Sequence, residues 1–149
     1  MKKTVTWILI ADGTQARVLE HNGPGKGLQA VDDLMFEQTP LKASEIMADR
    51  PGRSFSSVGH GRSAIEPSSD PVAVRERRFV ENVAEELERK RQQHAFDQLI
   101  VVAAPTALGD LRPAFSKGLR DSIVAELPKD LTKLPTAQLG QHFDGLLVV

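Results

Sequence analysis

Apolar and polar positions change period several times along the chain, and each change marks an element. Thr4 to Ala11 (TVTWILIA) is largely apolar and rich in β-branched and aromatic residues, which predicts a central strand. Asp12-Gly13 follows as a turn signal. Ala16 to His21 sets Val18 and Glu20 against Arg17 and Leu19, which suits a second, antiparallel strand. Beyond the turn cluster Asn22 to Gly27 (NGPGKG), Leu28 to Gln38 offers a third, more polar strand. This opening reads as a three-stranded meander.

The period then becomes that of a helix. Asp70-Pro71 supplies an N-cap and a proline at the first helical position, and the helix is expected to run to about Ala95. Phe79, Val80, Val83, Ala84 and Leu87 make one apolar stripe, while Glu85–Arg89 and Glu86–Lys90 are spaced to pair on the wet side. Phe96 to Ala104 has no polar alternation after Gln98, the mark of a strand buried on both faces. Pro105 opens a helix through about Ala114, Pro113 interrupts it, and Ser116 to Val124 forms a second helical piece. Ala125 to Leu127 is a short strand candidate. Pro135 opens a last helix through about His142, and the final GLLVV is a small strand or a packed tail. The order β-β-β-α-β-α-β-α describes one α/β domain over residues 1–149 with a mixed β-sheet, antiparallel at first and then extended by parallel strands. Ribonuclease H-like folds have this order.

Between these patterned regions lies DRPGRSFSSVGHGRSAIEPSSDP, residues 49–71, whose only aliphatic or aromatic side chains are Phe55, Val58, Ala64 and Ile65. A structureless loop of this length inside a domain, here about 49–69, is usually functional or disordered. The rest of the composition is ordinary for a globular protein of 149 residues, with 40% hydrophobic and 26% charged positions. Formal net charge is −1, so attraction to nucleic acid has to come from a local patch. Arg50, Arg53, His60 and Arg62 lie in a stretch without an acid, and Arg75, Arg77 and Arg78 follow on the first turns of the long helix. That arrangement is a candidate phosphate-contacting surface. The alternative is that these arginines solvate an exposed loop and pair with Glu66, Asp70 and Glu76.

Other chemistry is weakly represented. Cysteine is absent, which removes disulfides and thiolate sites and fits a reducing compartment. The apolar run after Lys2 and Lys3 is short for a signal core and lacks a small-residue cleavage site, and no run approaches the ~20 residues of a membrane span. A cytoplasmic protein without membrane contact is expected. Asp12 ends the first strand, where a ribonuclease H-like nuclease would place one metal-binding acid, but Asp32, Asp33, Asp97 and Asp110 do not fall at matching positions. His21, His60, His94 and His142 show no metal-ligand spacing. His21 and His142 are expected at surface or edge positions, and His94 at a helix end. GxSxG, GxGxxG and GxxxxGK[ST] are missing, and Gly59-His60-Gly61 alone is a weak phosphate signal. No metal, cofactor or catalytic residue is assigned.

Three segments carry a resemblance: WILIADGTQARVLE at the start, DRPGRSF with the helix after it and FDQLIVVAAPTALGDLR, and PKDLTKLPTAQL near the end. Together they resemble the bacterial host attachment protein family, proteins required for attachment to host cells. That family in turn resembles the middle domain of archaeal and eukaryotic class-1 release factors and Pelota. Release factors carry a Gly-Gly-Gln tip in the loop before the long helix, and here Gly59-His60-Gly61-Arg62-Ser63-Ala64 occupies that place. Arg62 stands where the glutamine would be. A guanidinium has no acceptor and is not deprotonated, so it does not reproduce the amide's water-orienting role, although it grips phosphate.

The resemblance thus implies a non-enzymatic or weakly enzymatic, release-factor-like domain binding a ribosomal or tRNA surface. Arg50, Arg53, Arg62, Arg75 and Arg78 would hold phosphate, with Gly59, His60, Gly61 and Ser63 forming the tip. Two alternatives stand beside it: a factor needed for host-cell attachment, acting indirectly, and a peptidyl-tRNA or RNA hydrolase.

Overall fold

The computed structural model describes residues 4–48 and 70–147. Five strands form one sheet: β1 Thr6–Ala11, β2 Gln15–His21, β3 Gln29–Glu37, β4 Gln98–Ala103 and β5 Ile123–Leu127, in the spatial order β3-β2-β1-β4-β5. The first three pair antiparallel as a meander, and β4 and β5 add in parallel on the other side of β1. The expected mixed sheet and strand polarity are therefore observed. Among the described residues four helices, α1 Ala43–Ala48, α2 Pro71–Gln92, α3 Pro105–Ala114 and α4 Lys117–Ser122, accompany the sheet in an α/β architecture.

Alternation along the strands sends side chains to two separate cores. On one face Trp7, Leu9, Ala11, Val18, Leu99 and Val101 meet the stripe Phe79, Val80, Val83, Ala84 and Leu87 of α2, together with Leu108 and Leu111 of α3. On the other, Ile8, Ile10, Leu19, Ile100 and Val102 meet Leu131, Leu139 and Phe143 from the C-terminal segment. β1 has neighbours on both edges and cover on both faces, so all six of its residues are buried. Each fully buried aliphatic side chain here contributes roughly 1.5–3 kcal/mol. Trp7 stacks on Phe96 at 4.8 Å and donates its indole N–H to Glu20 across the β1–β2 pair.

The helix ends follow the chemistry of their residues. Asp70 caps α2 by accepting from the amides of Val72 and Ala73, with Pro71 at the first position. At the other end, His94 takes a left-handed φ of 59° while its amide reaches the Arg91 carbonyl and that of Ala95 the Lys90 carbonyl. These two bonds form a Schellman closure, which ends α2 at Gln92 rather than Ala95.

Several boundaries depart from the periodicity. The second helical piece is short, because α4 stops at Ser122 and Ile123 already belongs to β5. The expected last helix is two 3₁₀ turns, Thr136–Gln138 and Gly140–Phe143, and the tail to Leu147 packs without becoming a strand. The i,i+4 pairs expected on α2 are replaced by Glu86–Arg89, Glu88–Arg91 and Lys90–Asp33, since partners on β3 and one turn away compete for the same cations. α1 carries no apolar period long enough to signal it; the Glu45 carboxylate stabilises its start by accepting from the Lys42 amide at 2.7 Å.

Candidate functional site

The parallel strands β1 and β4 end side by side, with the Ala104 amide on the Ala11 carbonyl at 3.2 Å. Beyond this edge the chain turns sharply at Asp12, whose Oδ1 accepts from the amides of Thr14 and Gln15 at 2.8 and 2.9 Å. Such a side-chain-to-backbone turn is why Asp-Gly stands here. A Cβ at Gly13 would come within 2.6 Å of the Glu76 carboxyl, which packs over it from α2 and would have to swing aside. Thr106 and Asp110 from α3 close the opposite wall. The result is a cleft of about 230 Å³ edged by Asp12, Glu76 and Asp110.

The cleft is anionic. Burial raises the Glu76 carboxyl above its ordinary range, and the charges of Asp12, Asp110 and Asp70 raise it further. The second oxygen of Asp12 lies 3.2 Å from the Thr132 hydroxyl, whose single proton it shares with the nearer Asp130. Among the described residues no three acids or histidines are gathered closely enough to hold a metal ion.

The stem of the central loop rises beside this cleft. Gln38, just past β3, bonds its amide to the Thr14 carbonyl at 2.8 Å and its side chain to the Gly13 carbonyl at 3.2 Å. Arg75 donates to the Thr39 carbonyl. The end of β3, the β1–β2 turn and the start of α2 are thereby fastened together.

Of the predicted contact residues, Arg50, Arg53, Gly59, His60, Gly61, Arg62 and Ser63 lie outside the described residues, as does Glu66. Arg75 and Arg78 are described. Arg75 is half-buried and fastens the stem, while Arg78 is exposed. Arg77 pairs with Glu81. Asp70 and Glu76, considered as partners for loop arginines, serve as helix cap and cleft wall. His21, expected at a surface or edge position, is buried at the end of β2 beside Thr6.

Sequence reasoning missed a second cluster on the opposite face of the sheet. Arg17 reaches from β2 across the C-terminal segment and donates to the carbonyls of Leu131 and Leu134. Thr132 donates to Asp130 at 2.6 Å, and Asp130 also accepts from the Thr132 amide. The string KDLTKLP, residues 129–135, is thus a strap across the sheet. An arginine inside the alternating strand β2 was the available signal.

A family model described as "Protein required for attachment to host cells" matches residues 7–143. No curated protein matches. The family match overturns the expectation of a release-factor-like domain binding a ribosomal or tRNA surface, because the family is described by attachment and nothing in the match points to RNA. The geometry agrees: the loop stem adjoins three carboxylates, which repel a phosphate backbone, and two of the helix arginines are engaged within the protein.

Proposed function

The chain belongs to the family of proteins required for attachment to host cells, and on that premise we propose that it is a factor on which attachment of its bacterium to host cells depends, acting indirectly from the cytoplasm. The observation that carries this reading is the match over residues 7–143, which runs from within β1 to the last 3₁₀ turn. The indirect mode rests on the use of the first apolar run. Thr6–Ala11 is hydrogen-bonded to β2 and β4 and buried along its length, so this run is part of the fold. Among the described residues no helix is long and apolar enough to cross a membrane. Our finer reading of the fold, a ribonuclease H-like architecture, rests on the order β3-β2-β1-β4-β5 with its antiparallel meander and parallel additions.

The test is deletion of the gene followed by counting adherent bacteria on host cells, with protease treatment of intact cells to place the protein. Loss of adherence, restored by the intact gene, with the protein protected from protease, is the expected result. Unchanged adherence overturns the function, and cleavage of the protein on intact cells overturns the indirect mode.

A further inference from the structure

We propose that the uncovered end of the strap-side sheet face binds a small organic carboxylate with an apolar body, held by Arg17. This inference does not depend on the attachment reading. The pairing registers place Ile10, Arg17 and Met35 in one row across β1, β2 and β3, with Gln15 opposite Glu37 in the adjoining row. Residues directly opposite in a ladder share a face, so all five belong to the face that the C-terminal segment covers. That cover stops short of β3. Met35 is left 63% exposed, and a cavity of about 210 Å³ opens between Arg17, Met35, Gln15 and the strap residue Thr132.

Arg17 is the unusual group in this cavity. It has no carboxylate ion pair among the described residues. Among the described residues its hydrogen bonds go to the carbonyls of Leu131 and Leu134, and its Nε is buried without an acceptor. Arg17 is half-buried, and a cation partly withdrawn from water is stabilised by an anionic partner; a carboxylate matches the guanidinium fork. Ile10 and Met35 supply apolar contact for the remainder of the ligand. Glu37 also lines this cavity and opposes each added negative charge, so a singly charged carboxylate fits it better than a phosphate dianion.

Thermal unfolding of the full chain with phenylacetate, phenylacetamide and inorganic phosphate tests this. Phenylacetate should raise Tm saturably, by about 5 °C well above its Kd, while the neutral amide and phosphate should not. Arg17→Gln should abolish the shift but also loosens the strap, so Met35→Glu is the second variant. It sits at an exposed position and should weaken phenylacetate binding about tenfold by like-charge repulsion while leaving the unliganded Tm nearly unchanged. Absence of a shift, equal shifts from acid and amide, or a shift unaltered by Met35→Glu would overturn the proposal.

Discussion

The two faces of the sheet are closed by different means. One lies under α2 and α3, whose apolar stripes cover it through regular helical packing. The other lies under two 3₁₀ turns and an irregular strap, held by Leu131, Leu139 and Phe143 in the core and by bonds from Arg17 and Thr132 at its edge. A helix satisfies its own backbone and needs only an apolar face. An irregular strap leaves carbonyls that another part of the chain has to satisfy. The helical side should therefore fail with the whole fold, and the strap should be able to open by itself.

The largest expected effect is on the helical side. Leu87→Ala removes a fully buried side chain and should destabilise by about 3 kcal/mol, lowering Tm by roughly 10 °C with one cooperative transition. Arg17→Met should cost about 2 kcal/mol by leaving strap carbonyls without donors. Its signature is selective: hydrogen exchange should accelerate over residues 131–147 while α2 amides keep their protection. Equal acceleration in both regions would show that the faces open together and break the distinction.

A pH series separates the faces further. Glu88 at the far end of α2 accepts from Arg91, Ser116 and Gln92, and the Arg91 and Ser116 bonds hold its carboxyl down to about 2 from an ordinary 4.5. Its folded pKa is depressed, so the stabilisation is present above pH 4.5 and is lost as pH falls towards 2. Glu88→Gln should flatten the acid limb of a Tm-against-pH curve in that window. Glu76 has the opposite sign: its raised carboxyl makes the charged form a liability once pH exceeds its unfolded value. Glu76→Gln should raise Tm at pH 7 by about 1 °C and have no such benefit at pH 3. A drop at pH 7 would mean that the cleft charge is structurally required.

The strands and α2 are legible in the sequence because each buries its side chains in a simple period. TWILIA and QLIVVA are continuous apolar runs because both faces are covered, and the α2 stripe recurs at helical spacing. Asp70 and Pro71 named the helix start through local chemistry alone. The strap was not readable, since Pro135 opens a helix or a 3₁₀ turn equally well and the outcome depends on Leu139 and Phe143 finding the sheet. The cleft was half readable: Asp12 marks a strand end, but Glu76 and Asp110 join it only because α2 and α3 pack on the same face. Arg17 read simply as one member of an alternating strand, and only the strap's passage over it left the guanidinium half-buried against carbonyls.

Local periodicity, capping residues and turn dipeptides thus determined the elements and the sheet's mixed polarity, because those signals act over a few residues of chain. Only the tertiary structure decided which acids face one another and which cation is enclosed. Those juxtapositions join residues far apart in the chain, by more than a hundred positions in Asp12–Thr132 and Arg17–Leu134. No periodic pattern spans such a separation; packing alone brings these groups within reach.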